Sequence, residues 1–202
     1  YTLTAPPCLP PLSPHAALPL PALPPPPPHA HVAGPWARQI HGTCTPCAIL
    51  FPPEAEKRYR RVPRRLYYLS GFAFSDAQWE GLAIPVNMAF LHTTSPEGSV
   101  RAYYPSPAGA TESMLTLDGW GEIVAENPIL TGLVPGVEAL LVNRVSGARD
   151  HYIAPIDKCF ELVGLIRISW RGLSGGQEVW DRIADFFTEL RSGATETGAV
   201  HA

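Results

Sequence analysis

VEALLVNRVSGARDHYIAPIDKCFELVGLIRISW, residues 137–170, carries the reading of the fold. Its first part, VEALLVNRV, is a short apolar run of strand length, and RDHYIAP reads as a second strand. Pro155 fits the first position of a helix, because its missing N–H has no partner there anyway. Behind it Ile156, Cys159, Val163, Ile166 and Trp170 recur at helical spacing and predict one apolar face. Strand, strand, helix is the grammar of an α+β domain.

Working outward from this stretch extends the pattern. Downstream, Gly172 is a helix stop. Ser174 and Gln177 have capping-box spacing ahead of Val179, Trp180, Ile183, Phe186, Phe187 and Leu190, an amphipathic helix. Residues 192–202 read as a flexible tail. Upstream, LYYLSGFAF (66–74) suits a strand, and Ser75 with Gln78 forms another capping box before a short helix through Trp79 and Leu82. IPVNMAFLHTT (84–94) suits a buried strand, Pro96 to Ser99 a turn, and VRAYYPS (100–106) its hairpin partner. ATESMLTL (110–117) alternates as a third strand, and Asp118 is placed to cap a helix that Asn127-Pro128 ends. The expected fold is α+β: a mostly antiparallel sheet with helices on one face, preceded by a proline-rich extended segment.

Composition limits what such a domain does. The 202 residues suffice for one domain and an appendage. A net charge of −3 gives no electrostatic footprint of a general nucleic-acid binder. No apolar run reaches the ~18 residues of a membrane helix, and the N-terminal residues lack the order of a signal peptide. The four cysteines, Cys8, Cys44, Cys47 and Cys159, are too unevenly spaced for a secreted disulfide framework. They point to a reducing, cytoplasmic compartment, with Cys44 and Cys47 as free thiols or metal ligands.

The N-terminal third divides into pieces. Residues 1–37 hold thirteen of the 24 prolines and no Asp, Glu, Lys or Arg. Proline lacks an N–H and fixes φ, so polyproline II is expected here, not a sheet or helix. Such a tract is either a solvated tail or a contact for a partner, and its leucines (Leu3, Leu9, Leu12, Leu18, Leu20, Leu23) suit the second. Residues 38–56 form the Cys-x-x-Cys segment, and 57–191 the α+β domain. KRYRRVPRR (57–65) carries six of the 15 basic residues. Arg58, Arg60, Arg61, Arg64 and Arg65 form either a patch for a phosphate or acidic partner, or an edge strand whose charges discourage aggregation.

The chemistry-bearing candidates are few. Cys44 and Cys47 can grip one tetrahedral metal, zinc or iron, from a tight turn. A closed site needs four ligands, and His29, His31, His41 and Cys8 are the candidates to complete it. His29 and His31 fall on the same side of an extended chain, so a set of His29, His31, Cys44 and Cys47 is sterically feasible. The alternative is a half-site or two inert thiols. LSGGQEVW (173–180) could present N–H groups to an anion, but its capping box explains it without a ligand. YYPSPAGATES (103–113), with Ser106, Thr111 and Glu112, could line a pocket or simply connect strands. Cys159 falls on an apolar helix face, where thiols are inert. His92 and His151 read as structural.

Together CTPCAILF (44–51), RYRRVP (58–63), WEGLAIPVNMAF (79–90), YYPSPAGATES, VEALLVNR (137–144) and the block 155–187 resemble an uncharacterised, mainly actinobacterial family encoded beside high-affinity uptake NiFe hydrogenases. The resemblance covers most of residues 29–190. It implies no activity, and at most a role in assembling, maturing or accompanying a hydrogenase. In that family a first thiol pair precedes the His-x-His, and a Cys-x-Cys-x-x-Cys follows it. This chain keeps His29, His31, Cys44 and Cys47, but has Leu18 and Pro21 about where the first pair is expected and Gly42 where the next cysteine is expected.

Three functional expectations follow. The first is a non-enzymatic accessory or partner subunit of a redox metalloenzyme, with a NiFe uptake hydrogenase foremost, working in the cytoplasm or peripheral to a membrane-bound complex. The second is a small zinc- or iron-binding redox or regulatory module built on Cys44 and Cys47. The third is a small enzyme with a pocket near residues 103–113. No specific nucleic-acid partner is expected.

Overall fold

A computed structural model describes residues 29–34, 39–44, 48–49, 59–93, 100–113, 119–172 and 174–198. The expected α+β architecture with a mostly antiparallel sheet is the one that forms. Ten strands and four α-helices occur among the described residues. A three-stranded head has the order β2-β1-β3, built from β1 (His29–Gly34), β2 (Gln39–Cys44) and β3 (Arg60–Arg61). A seven-stranded sheet has the order β10-β4-β9-β8-β5-β6-β7. Its strands are β4 (Tyr67–Ser70), β5 (Met88–Thr93), β6 (Val100–Ser106), β7 (Gly109–Glu112), β8 (Glu138–Asn143), β9 (Asp150–Pro155) and β10 (Thr195–Gly198). Every pairing is antiparallel except that of β10 with β4.

The central strands read as continuous apolar runs because both faces of the sheet are covered. Along β8, Ala139 and Leu141 face one core and Leu140 and Val142 the other, all at 0% exposure. The first core is closed by the two long helices, α3 (Ile156–Ser169) and α4 (Gln177–Gly193). Those two share one face but, contrary to the sequence expectation, the helices are not confined to it. The opposite face is covered by the short helices α1 (Asp76–Gly81) and α2 (Trp120–Glu126) and a 3-10 turn, Pro128–Gly132. Each buried leucine or phenylalanine there contributes roughly 1.5–3 kcal/mol from its removal from water.

Local signals decide the element ends. Ser75 Oγ accepts from Gln78 N–H while the Gln78 side chain accepts from Ser75 N–H, so the expected capping box opens α1. Asn127 ends α2, and its amide bonds Ala73 N–H, Ala73 C=O and Ile123 C=O at 2.7–2.8 Å. That residue staples the Gly71–Phe74 loop to the helix end.

Several expectations are corrected. Strand β4 stops at Ser70, because Gly71 at φ 77° turns the chain away; Phe72 and Phe74 then pack over the sheet and not within it. Helix α2 begins at Trp120 behind Gly119, and Asp118 lies outside the described residues, as does the turn at 94–99. Pro155 is the N-cap of α3, one residue before its first turn. The second capping box does not form: α4 starts behind Gly176 with no side-chain cap. The tail at 192–202 is structured in part, since Thr195–Gly198 form β10. The extended segment 1–37 also contributes a strand. Residues His29–Gly34 carry no proline, so their N–H groups pair, and β1 becomes the middle of the head.

Candidate functional site: the head hairpin and its carboxylate

The antiparallel register of β1 and β2 places His29 directly opposite Cys44, His31 opposite Gly42 and Ala33 opposite Ile40. Opposed residues share a face of the ribbon, and side chains alternate with period two. Positions 29, 31, 42 and 44 therefore lie on one face. Further along it, Ala33 and Ile40 are buried in the core that α3 and α4 close. His41 pairs with Val32 and is out of phase, so it lies on the other face, buried and edge-on to Tyr59 at 5.3 Å. It does not join this set. Cys47, Cys8 and Arg58 lie outside the described residues, as do the side chains of His29 and Cys44. Among the described residues no three His, Cys, Asp or Glu side chains converge as a metal cluster.

The His31 ring is held from the main domain. Its Nδ1 donates to Asp157 Oδ2 at 2.7 Å, with both side chains about a quarter exposed. Asp157 sits in the first turn of α3, where a carboxylate complements the helix dipole, and its other oxygen accepts from Lys158 N–H at 2.9 Å. A proton held on Nδ1 leaves the lone pair of a neutral imidazole on Nε2. This is the arrangement by which carboxylates orient ligating histidines. Cys2His2 is also a donor set that suits zinc. The register thus opposes His29 to Cys44 and puts His31, opposite Gly42, on the same face, while nothing in the sequence points to Asp157. It reads as an ordinary first-turn acid, and nothing local ties it to a histidine 126 residues away.

The basic run is divided. Arg60 is 6% exposed and donates to Pro135 C=O at 2.9 Å. Arg65 forks onto Glu138, whose side chain is fully buried, and also donates to Gly132 C=O. Glu138 in turn accepts from Val134 N–H at 2.9 Å. These two arginines clamp the head and its linker to the start of β8. Arg61 is half-buried on the edge strand β3, and Arg64 is exposed. Arg64 reaches a groove of about 410 Å³ that also takes in Leu66, Asp157, Glu161, Phe186 and Glu189.

Several polar groups of the 103–113 segment bond one another or the adjacent strand residue Arg101. Tyr103 donates to Glu112, which also binds Arg101; Ser106 Oγ lies 3.0 Å from Thr111 Oγ1 and donates to Gly109 C=O. A second groove, of about 380 Å³, lies between α4 and the ends of β8 and β9 and is lined by Asp150, Tyr152, Phe187 and Arg191. Neither groove includes a residue of the hairpin. Cys159 is fully buried, and burial pushes its thiol well above the usual range, so it stays protonated. His92 stacks on Phe90 and Tyr103. His151 stacks on Phe72 at 4.7 Å, and burial, followed by the charges of Arg144 and Arg149, lowers its pKa to about 4. No helix among the described residues is long and apolar enough to cross a membrane.

Comparison with curated proteins and with solved structures gave no match. A family model matches residues 20–194, which include the head, strands β4 to β9 of the main sheet and all four helices described above, and stop just before β10. The chain therefore belongs to the family of unknown function DUF5947.

Proposed function

We propose that this protein is a non-enzymatic accessory or partner subunit of a redox metalloenzyme, with a NiFe uptake hydrogenase as the first candidate, and that its head hairpin holds a small zinc or iron site. The partner reading rests on the sequence resemblance described above. The observation that carries the metal reading is the His31–Asp157 bond on the face shared with positions 29 and 44. A carboxylate that fixes Nδ1 prepares Nε2 for a metal, and the same bond anchors the head to α3. His29, His31, Cys44 and Cys47 would hold the ion. Bound there, zinc would lock the hairpin, and iron would add one-electron chemistry. The protein acts, on this reading, in the cytoplasm or beside a membrane-bound enzyme.

Two measurements test it. The native protein should co-purify with hydrogenase, and its deletion should lower hydrogen uptake; failure of both removes the partner reading. Freshly purified protein should carry close to one equivalent of metal. A content below about a tenth of an equivalent excludes a stable four-ligand site.

A further inference from the structure

The corner where α3 meets α4 is built unlike the rest of the surface. Among the described residues the large apolar side chains most open to solvent are Ile49, Ile168 and Trp180, and the last two flank this corner. The Trp180 ring stands edge-on to half-buried Trp170 at 6.3 Å. Both indoles are fixed by the intervening loop. Trp170 Nε1 donates to Gly172 C=O at 3.0 Å, and Trp180 Nε1 to Ser174 C=O at 3.2 Å. The loop is pressed so tightly on them that a Cβ on Gly175 would lie 3.1 Å from the Trp170 ring and 2.7 Å from Val179 Cγ1. Arg171 donates to the carbonyls of Ile168 and Trp170, which holds its guanidinium across the end of α3.

Charge sets the chemistry of what fits. Residues 162–177 contain no Asp or Glu but contain Arg167 and Arg171, both exposed, on a chain of net charge −3. The nearest acids on α4 are engaged within their own helix: Glu178 with Arg182, and Asp181 with Gln177. Rigid tryptophans beside an arginine are the composition of binding hot spots, and rings already held in place lose little freedom on docking.

We propose that Ile168, Trp170, Arg171 and Trp180, with Arg167 on the rim, form the docking surface for the partner enzyme, and that the partner presents an apolar patch bordered by carboxylates. This rests on the partner reading above and locates it. Chain and partner then bury the two rings that the fold leaves half in water. The arginines meet carboxylates and favour encounter at low salt.

The test uses the full chain and purified uptake hydrogenase as probe, with affinity read by biolayer interferometry at low and high salt. Trp180→Ala should weaken binding about thirtyfold, the loss expected for a central anchor. Ile168→Asp should do the same, and Arg167→Glu should weaken it mainly at low salt. Glu122→Ala on distant α2 should change nothing. Thermal melts verify folding; Ile168 and Arg167 are exposed, so those variants fold even if Trp180→Ala does not. If wild-type chain binds and all three corner variants bind as well, the corner is overturned while the partner reading stands. If wild-type chain does not bind at all, the partner reading fails and this surface with it. If light scattering shows a wild-type dimer that Ile168→Asp dissociates, with enzyme binding unchanged, the corner joins two copies of this chain and the proposal is wrong.

Discussion

His31 Nδ1 lies 2.7 Å from Asp157 Oδ2, so strand β1 of the head is tethered to the first turn of a helix in the main domain. The bond does two separable things. It holds the head on the domain, and a proton kept on Nδ1 leaves the lone pair of a neutral imidazole on Nε2.

Asp157→Ala should lower metal affinity about 10–100-fold, as loss of an orienting carboxylate does at ligating histidines. Competition with a chromophoric chelator measures it. Asp157→Glu should recover part of the loss, whereas an unchanged affinity in Asp157→Ala would separate this carboxylate from the metal reading.

His151 predicts a pH dependence. Its pKa falls from 6.5 to about 4 on folding, so the unfolded chain binds the extra proton between those values. Stability therefore rises with pH across that window: fully present above about 6.5, lost progressively as pH falls toward 4, and flat below. The shift corresponds to roughly 3 kcal/mol at most. Urea denaturation from pH 4 to 7 should show this slope in the wild type and a reduced one in His151→Phe, which keeps the stack on Phe72.

Gly175 and Gly176 both have positive φ, 87° and 76°, but differ in space. Gly176→Ala meets only Arg171 Cβ at 4.0 Å, so its cost is that of its backbone at φ 76° and ψ 167°, about 1–2 kcal/mol. Gly175→Ala adds a collision with Val179 and Trp170 and should cost about 2–3 kcal/mol. Equal melting temperatures for the two variants would contradict the packing.

Arg64 and Arg65 are neighbours with different work. Arg65→Ala leaves the fully buried Glu138 carboxylate with Val134 N–H and without its cation, and should cost about 2–3 kcal/mol, less than a wholly buried pair because Arg65 is 43% exposed. Arg64→Ala should stay within about 0.5 kcal/mol. Chemical denaturation of the two variants distinguishes them.

The parts of the fold that were legible have local causes. Leu140 and Leu141 face opposite cores, so β8 is apolar at every step and reads as a strand without its neighbours. Ser75 and Gln78 form their capping box within four residues. The illegible parts depend on distant contacts. Phe72 and Phe74 look like a continuation of β4 because a loop laid over a sheet needs the same apolar residues as a strand within it. Ser174 and Gln177 have capping spacing, but the pressure of Trp170 and Val179 on Gly175 sets a different helix start. At the candidate site the spacing of His29 and His31 was readable, and the register then opposed His29 to Cys44. Asp157 was not readable, because only the packing of α3 against the head brings it there.

The parallel pairing of β10 with β4 has a consequence for synthesis. Both neighbours of Tyr67–Ser70 are translated long after it, β9 about 80 residues later and β10 about 125. Until then the emerging chain carries an aromatic strand with two open edges. Its safety on the ribosome depends on how quickly α4 docks and delivers Thr195–Gly198 to close the outer one.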